Sequence, residues 1–304
     1  MLTVLWLTAA LSAIGLAVAS NVRGETDRTT TGLDDLRTYF IARGAIERTL
    51  LYMQRGQNFY RYGTPRLDFA FPGAVATVEI IPETSKLSLL GTKPEELLRL
   101  LEVLGLPQDR AEMITAGIVD WRTFPLPGAS SPFDAFYLSQ TPSFVPQRTS
   151  PFLETEELLL VRGVTADIYY GTSLDGSRAG LRDCLSARGS WGTLDLNTTR
   201  PETMIAIGMD PTDAAAIVQR RAIRPILDPV EINEIQKAVG PVGARLGVGG
   251  GYMFTLRATV RLIGADGKPT DFRRTSAALI KRFDPNNKAK HNPGYEFVRW
   301  YDRD

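Results

Sequence analysis

Two residues limit the chemistry this chain can do: His291 is the only histidine and Cys184 the only cysteine. A Ser-His-Asp or Cys-His arrangement would have to move its proton through His291, which sits in the polar run Lys288 to Pro293 and reads as solvated. One histidine excludes a His-rich zinc site, and one cysteine excludes an internal disulfide and any multi-thiolate centre. Cys184 reads as a small, buried, neutral side chain. Gly247-Val248-Gly249-Gly250-Gly251 has the glycine density of a phosphate-cradling loop but lacks the Gly-Lys-Thr ending and leads into strand-like residues, so it reads as a linker. Asp284-Pro285-Asn286-Asn287 fails the EF-hand spacing and reads as a polar turn. Trp121 and Trp191 are assigned to core packing in preference to interface anchors. No enzyme, cofactor or small-molecule substrate is expected from these residues.

The elements that carry them belong to a globular chain, since 43% of 304 residues are hydrophobic and 23% charged. Thirty-five Lys and Arg against thirty-four Asp and Glu leave a net charge of +1, so no bulk field favours nucleic acid or an anionic surface. Met1 to Val22 contains no charged residue. Its apolar core of about 18 residues reaches about 27 Å at about 1.5 Å per residue, near the bilayer hydrocarbon thickness. Leu2, Thr3, Val4, Leu5, Trp6, Leu7, Leu11, Ile14, Leu16 and Val18 form this membrane and assembly helix. A cleaved signal peptide competes, because Ala17-Val18-Ala19 resembles a processing site, but no basic n-region precedes the run and a helical pattern resumes after it. Leu33, Leu36, Tyr39, Ala42, Ile46, Leu50 and Met53 recur at helical spacing, which predicts an amphipathic helix packed on a soluble core. Thr29 to Gly32 is the stretch of low helix propensity between the halves.

The middle of the chain repeats itself. Residues 86–95 align without gaps on residues 193–202, matching leucine, leucine, threonine, base, proline and glutamate. Each copy predicts an extended piece leading into a helix, with Thr92 or Thr199 as N-cap, Pro94 or Pro201 in the first turn and Glu95 or Glu202 completing a capping box. Leu97, Leu98, Leu101 and Leu104 form the first apolar face, Gly105-Leu106-Pro107 ends that helix, and Ala111, Ile114, Ile118 and Val119 begin another. Ile205, Ile207, Gly208, Ala214, Ile217 and Val218 repeat the pattern. These paired helices resemble helix-hairpin-helix or SAM-like units, which makes a membrane-anchored, periplasmic DNA-binding protein the alternative function. Single glycines at Gly105 and Gly208 lack the paired glycines of a DNA-binding turn, and no nucleic-acid partner is expected. Beyond the repeats, Tyr252 to Ile263 alternates, Ala265-Asp266-Gly267-Lys268 supplies a turn, and Phe272 to Phe283 and Tyr295 to Tyr301 add strands. With Leu67 to Ile81 they form an antiparallel sheet against the long helix.

A spanning half continuing into an amphipathic half resembles type IV pilins and the pseudopilins of type II secretion. Leu2-Thr3-Val4-Leu5-Trp6 resembles the mature start of the minor pseudopilin K family, with Thr3 where most pilins carry a glutamate. Ile81-Pro82-Glu83-Thr84-Ser85-Lys86-Leu87, Ile118-Val119-Asp120-Trp121-Arg122, Phe136-Tyr137-Leu138, Thr155-Glu156-Glu157-Leu158, Val161-Arg162-Gly163-Val164-Thr165 and Leu194-Asp195-Leu196-Asn197-Thr198 extend the likeness along the chain in order. The resemblance implies an α+β fold: a pilin-like long N-terminal helix on an antiparallel sheet, with a large inserted all-helical domain of two such units. Residues 1–22 are then the membrane half of the helix, 23–84 its amphipathic half and the first strands, 85–246 the insertion with repeats 86–122 and 193–240, and 247–304 the C-terminal strands.

The same resemblance implies the work of a minor pseudopilin that joins pseudopilins I and J at the pseudopilus tip, starting assembly and capping it. It places the protein as a single pass in the inner membrane with its C-terminal body in the periplasm. It also implies a short basic leader before the mature start, so the sequence is expected to begin inside the true frame or to have been trimmed. The family's acidic run after its Asp-Trp pair suits calcium, a hard ion wanting six to eight oxygens. Here Arg122, Thr123, Phe124 and Pro125 replace that run, Phe133 stands where a glutamate is expected, and only Asp120 and Asp134 remain as calcium candidates. This loop is therefore expected to be held by Pro125, Pro127, Pro132 and Pro142 rather than by metal.

Overall fold

The computed structural model describes residues 1–55, 58–61, 63–124, 130–146, 148, 152–171, 178–248, 252–283 and 294–302. Helix α1, Leu2–Gln54, runs unbroken for 53 residues. It contains no proline, and the hydroxyls of Thr26, Thr29, Thr30 and Thr31 donate back to the carbonyls one turn earlier, so the threonine-rich stretch stays helical.

Strands β1, Arg66–Phe71, and β2, Ala74–Pro82, form a hairpin within the strand region expected over Leu67 to Ile81. Gly73 makes the reversal at φ +67°. The chain then leaves the sheet. Within the insertion lie β3 (Leu87–Ser88), α2 (Pro94–Val103), α3 (Gln108–Arg122), α4 (Asp134–Leu138), α5 (Ala166–Tyr170) and α6 (Leu181–Cys184). They are followed by β4 (Leu185–Ser186), β5 (Leu194–Asp195), α7 (Pro201–Ala206), α8 (Pro211–Ile223), α9 (Pro229–Ala238) and β6 (Leu246–Gly247). The sheet resumes with β7, Met253–Ile263, β8, Pro269–Arg282, and β9, Tyr295–Tyr301. Its order is β1-β2-β7-β8-β9, antiparallel throughout, so the insertion interrupts two hydrogen-bonded neighbours.

Alternation along β7 buries Phe254, Leu256, Ala258 and Val260 against α1, as its sequence predicts. The helix meets the sheet through Thr38, Ala42, Ala45, Ile46, Thr49 and Leu50. Alanines at 42, 45, 74, 76, 258 and 278 keep the two layers close. Leu33 and Leu36, expected on this buried face, are instead 62% and 56% exposed. The reason is length: Asp35 accepts from Arg274 of β8 near the end of the sheet, and α1 projects beyond it.

The insertion has its own core, with Leu87, Leu97, Leu100, Leu101, Ile114, Ile118 and Tyr137 at 1% exposure or less. It is mainly helical but not entirely so. Leu87 and Ser88 pair in parallel with Leu185 and Ser186, and Leu194 and Asp195 pair in parallel with Leu246 and Gly247. The leading strand of each repeat is thus paired in parallel with a short strand that follows the repeat in the chain, a second match that the alignment of leading segments alone does not reveal. The capping expectation is corrected. Lys93 and Arg200 are the N-caps, neither makes a side-chain cap bond, and Pro94 and Pro201 occupy the first helical turn. Thr92 instead donates its hydroxyl to Ser88 O at 2.6 Å, closing the turn that precedes the helix.

Candidate functional site

Leu2, Val4, Leu5, Trp6, Leu7, Leu11, Ile14, Leu16 and Val18 all face outward, between 56% and 76% exposed, and Thr3 is exposed with them. No part of this apolar stretch is buried in the molecule. A helix of this length and composition fits a single-pass membrane anchor.

The two helical units are built on one plan. In the first, the Arg122 guanidinium donates to Leu89 O at 2.8 Å and Thr92 O at 2.6 Å. In the second, Arg221 donates to Leu196 O at 2.8 Å and Thr199 O at 2.7 Å. The carbonyls are equivalent in the repeat alignment. Burial lowers the pKa of both arginines from its ordinary value. Ser88 and Asp195, also equivalent, each accept from the second and third residues after them, Ser88 from the backbone N–H groups of Leu90 and Gly91 and Asp195 from Asn197 N and the Thr198 hydroxyl. Gly105 and Gly208, at φ +83° and +101°, terminate α2 and α7 in the same way, with Leu106 N bonded to Leu101 O and Met209 N to Met204 O.

Asp120, at the end of α3, and Asp134, at the start of α4, are brought together by Arg148. Its Nε and Nη2 donate to Asp120 Oδ2 at 3.0 and 2.7 Å, and its Nη1 donates to Asp134 Oδ1 at 2.8 Å. Ser131 supplies the rest, its hydroxyl on Asp120 Oδ1 at 2.5 Å and its N–H on Asp134 Oδ2 at 2.8 Å. The Ser131 amide and the Arg148 guanidinium together hold the Asp134 carboxyl below its ordinary range. These residues do not fit calcium: every carboxylate oxygen already has a protein donor, and the charge between the carboxylates is a guanidinium. Among the described residues no group of three or more metal-ligating side chains occurs. Pro125 and Pro127 lie outside the described residues, as do Asp284 to Asn287, His291 and Gly249 to Gly251. Arg148 escaped the sequence reading because it is a lone base in a proline-rich stretch, far from both aspartates and without periodicity.

The seam between sheet and insertion is polar. Glu83, 5% exposed, accepts from Ser186 at 2.5 Å and Thr255 at 2.6 Å and lies 3.9 Å from the Lys86 ammonium. Burial raises its pKa, but Lys86 and the two hydroxyls outweigh that, and the carboxyl sits below its ordinary value. Beside it is a cavity of about 150 Å³ lined by Lys86, Tyr169, Arg188 and Tyr301 among others. Cys184 is fully buried, as expected, and burial pushes its thiol up to about 12. Trp121 is buried beside Tyr137 and Phe152. Trp191 is not core: it is 71% exposed, its indole resting against Gly91, where only a missing side chain leaves room.

The arrangement defines the class: a pilin-like helix on an antiparallel sheet, with a helical insertion. The sequence model of the family described as "Type II secretion system (T2SS), protein K" matches residues 90–171. A chain of the solved structure described as "The Crystal Structure of the GspK-GspI-GspJ complex from enterotoxigenic Escherichia coli Type 2 Secretion System" has the same fold. That similarity has a TM-score of 0.58 at 16% identity and covers 90% of this chain and 98% of that one. No curated protein matches the sequence. The family match covers part of the insertion, and the shared fold extends over nearly the whole chain. Neither comparison supports the DNA-binding alternative.

Proposed function

We propose that this chain works mechanically as the K subunit of a tip complex, joining minor pseudopilins I and J, starting pseudopilus assembly and capping the finished fibre. The observation that carries the reading is the insertion between β2 and β7, about half the chain, held on the sheet by Glu83. Bulk of this size on the head obstructs a further subunit from stacking above, while the exposed apolar half of α1 packs among subunits below. Thr3 supports the same position. In ordinary pilins a glutamate there is thought to pair with the N-terminal amine of the preceding subunit, and a tip subunit has none above it. We place α1 as a single pass in the inner membrane and the body in the periplasm, which the resemblance implies and the uncharged stretch before Arg23 permits.

The test is co-purification of the full chain, extracted in mild detergent, with tagged pseudopilins I and J of the same secretion system. A stable ternary complex at defined stoichiometry is expected. Failure to retain either partner, with the chain itself folded, overturns the tip-complex reading.

A further inference from the structure

We propose that Arg148 is the resident cation of the Asp120–Asp134 loop, so that this part of the insertion folds without a divalent metal, and that removing Arg148 leaves a divalent-cation site in its place. The argument starts from charge. Two carboxylates converge from the end of α3 and the start of α4, at 16% and 21% exposure, and an arginine at 6% exposure lies between them. Desolvated carboxylates need a compensating charge and a donor for each lone pair they lose to water. Arg148 supplies the charge and three N–H donors in one plane, two on Asp120 and one on Asp134, the fork geometry that a lysine cannot reproduce.

Ser131 completes the set with its hydroxyl and its amide, one to each aspartate, so five hydrogen bonds tie Asp120 and Asp134 together. A metal bound there would have to displace the guanidinium and remain beside it, against like-charge repulsion. Without Arg148, Asp120 Oδ2 and Asp134 Oδ1 lose their donors and both carboxylates lose their counter-charge, while Ser131 still holds the other two oxygens. Two freed carboxylate oxygens from two uncompensated negative charges form a hard-ion set that calcium accepts once water completes the shell.

The experiment follows the intrinsic tryptophan fluorescence of the full chain in detergent micelles during thermal unfolding, with Trp121 reporting from the adjoining core. Scans are run in EGTA and in about 5 mM calcium chloride, a concentration suited to a weak oxygen site. For the unaltered chain the midpoint is expected to agree within about 1 °C between the two. For Arg148→Met it is expected to fall by about 5 °C or more in EGTA and to recover at least half of that loss in calcium. Arg148→Lys, which keeps the charge but not the fork, is expected to lose stability without gaining calcium dependence, and it serves if the methionine variant does not fold. Stabilisation of the unaltered chain by calcium overturns the proposal. So does an undiminished midpoint in Arg148→Lys, or calcium-indifference of a folded Arg148→Met.

Discussion

Arg122 and Arg221 hold the same station in the two helical units. Each reaches back from the end of its unit's second long helix to bond two carbonyls of the turn that leads into the first. Hydrogen bonds from charged donors contribute about 1.5–3 kcal/mol, and their loss orphans two carbonyls that are largely shielded from water. Arg221→Met is therefore expected to destabilise the chain by about 2–3 kcal/mol, and Arg122→Met by a similar amount. Chemical denaturation of the full chain in micelles measures both. A change below about 0.5 kcal/mol in either, the usual scale of surface substitutions, would count against the shared role.

Glu83 predicts an acid response. Its folded pKa lies below the ordinary value, so its contribution to stability is complete above the unfolded pKa, near 4.3, and is lost as pH falls through the folded value. Glu83→Gln is expected to cost about 2–3 kcal/mol at neutral pH by leaving Lys86 without its carboxylate, and to flatten the loss of stability as pH falls below about 4.3. Denaturation midpoints across that range distinguish the two curves. Parallel curves would mean that the charge of Glu83 does not hold the seam.

Cys184 is expected to be unreactive while the chain is folded. Its thiol, pushed up to about 12 by burial, has a negligible thiolate fraction at neutral pH and no solvent access. A maleimide or disulfide reagent should label it only in denaturant. Rapid labelling of the native chain would mean that α6 opens.

The anchor makes a fourth prediction. A charged residue at the centre of a membrane helix costs about 2.5–3.5 kcal/mol on insertion scales. Leu11→Arg should shift the chain toward the carbonate-extractable fraction of membranes, whereas Leu33→Arg, beyond the uncharged stretch, should leave extraction unchanged. Equal behaviour of the two variants would refute the assigned span.

What the sequence made legible was whatever periodicity or repetition encodes. Alternation in β7 gave its buried face, Ala265 to Lys268 gave the hairpin turn, and Tyr295 to Tyr301 gave the edge strand. Apolar spacing over Leu97 to Ile118 gave the helices of the first unit. The misses came from contacts between distant positions. Leu33 and Leu36 continue the helical pattern, but periodicity says nothing of where the opposing sheet ends. Thr92 looks like an N-cap because hydroxyls commonly serve there, yet Ser88 O competed for it and won. Trp191 was misassigned because hydrophobicity alone cannot distinguish a core tryptophan from one lying over a glycine at the surface. Arg148 was unreadable for the same reason, since its role exists only once Asp120 and Asp134 converge.

The pairing of β2 with β7 carries a consequence for how the chain comes together. Pro82 and Phe254 are partners in the ladder, yet roughly 170 residues separate them, a closure that would cost an unstructured chain about 4–5 kcal/mol in entropy before any fixed term. The parallel pairs that close each helical unit bring the ends of the insertion back to the sheet. With those units already collapsed, the two sheet edges meet as neighbours and most of that entropy has been surrendered beforehand. Folding is therefore expected to be ordered, with the interior of the insertion consolidating first and the five-stranded sheet last.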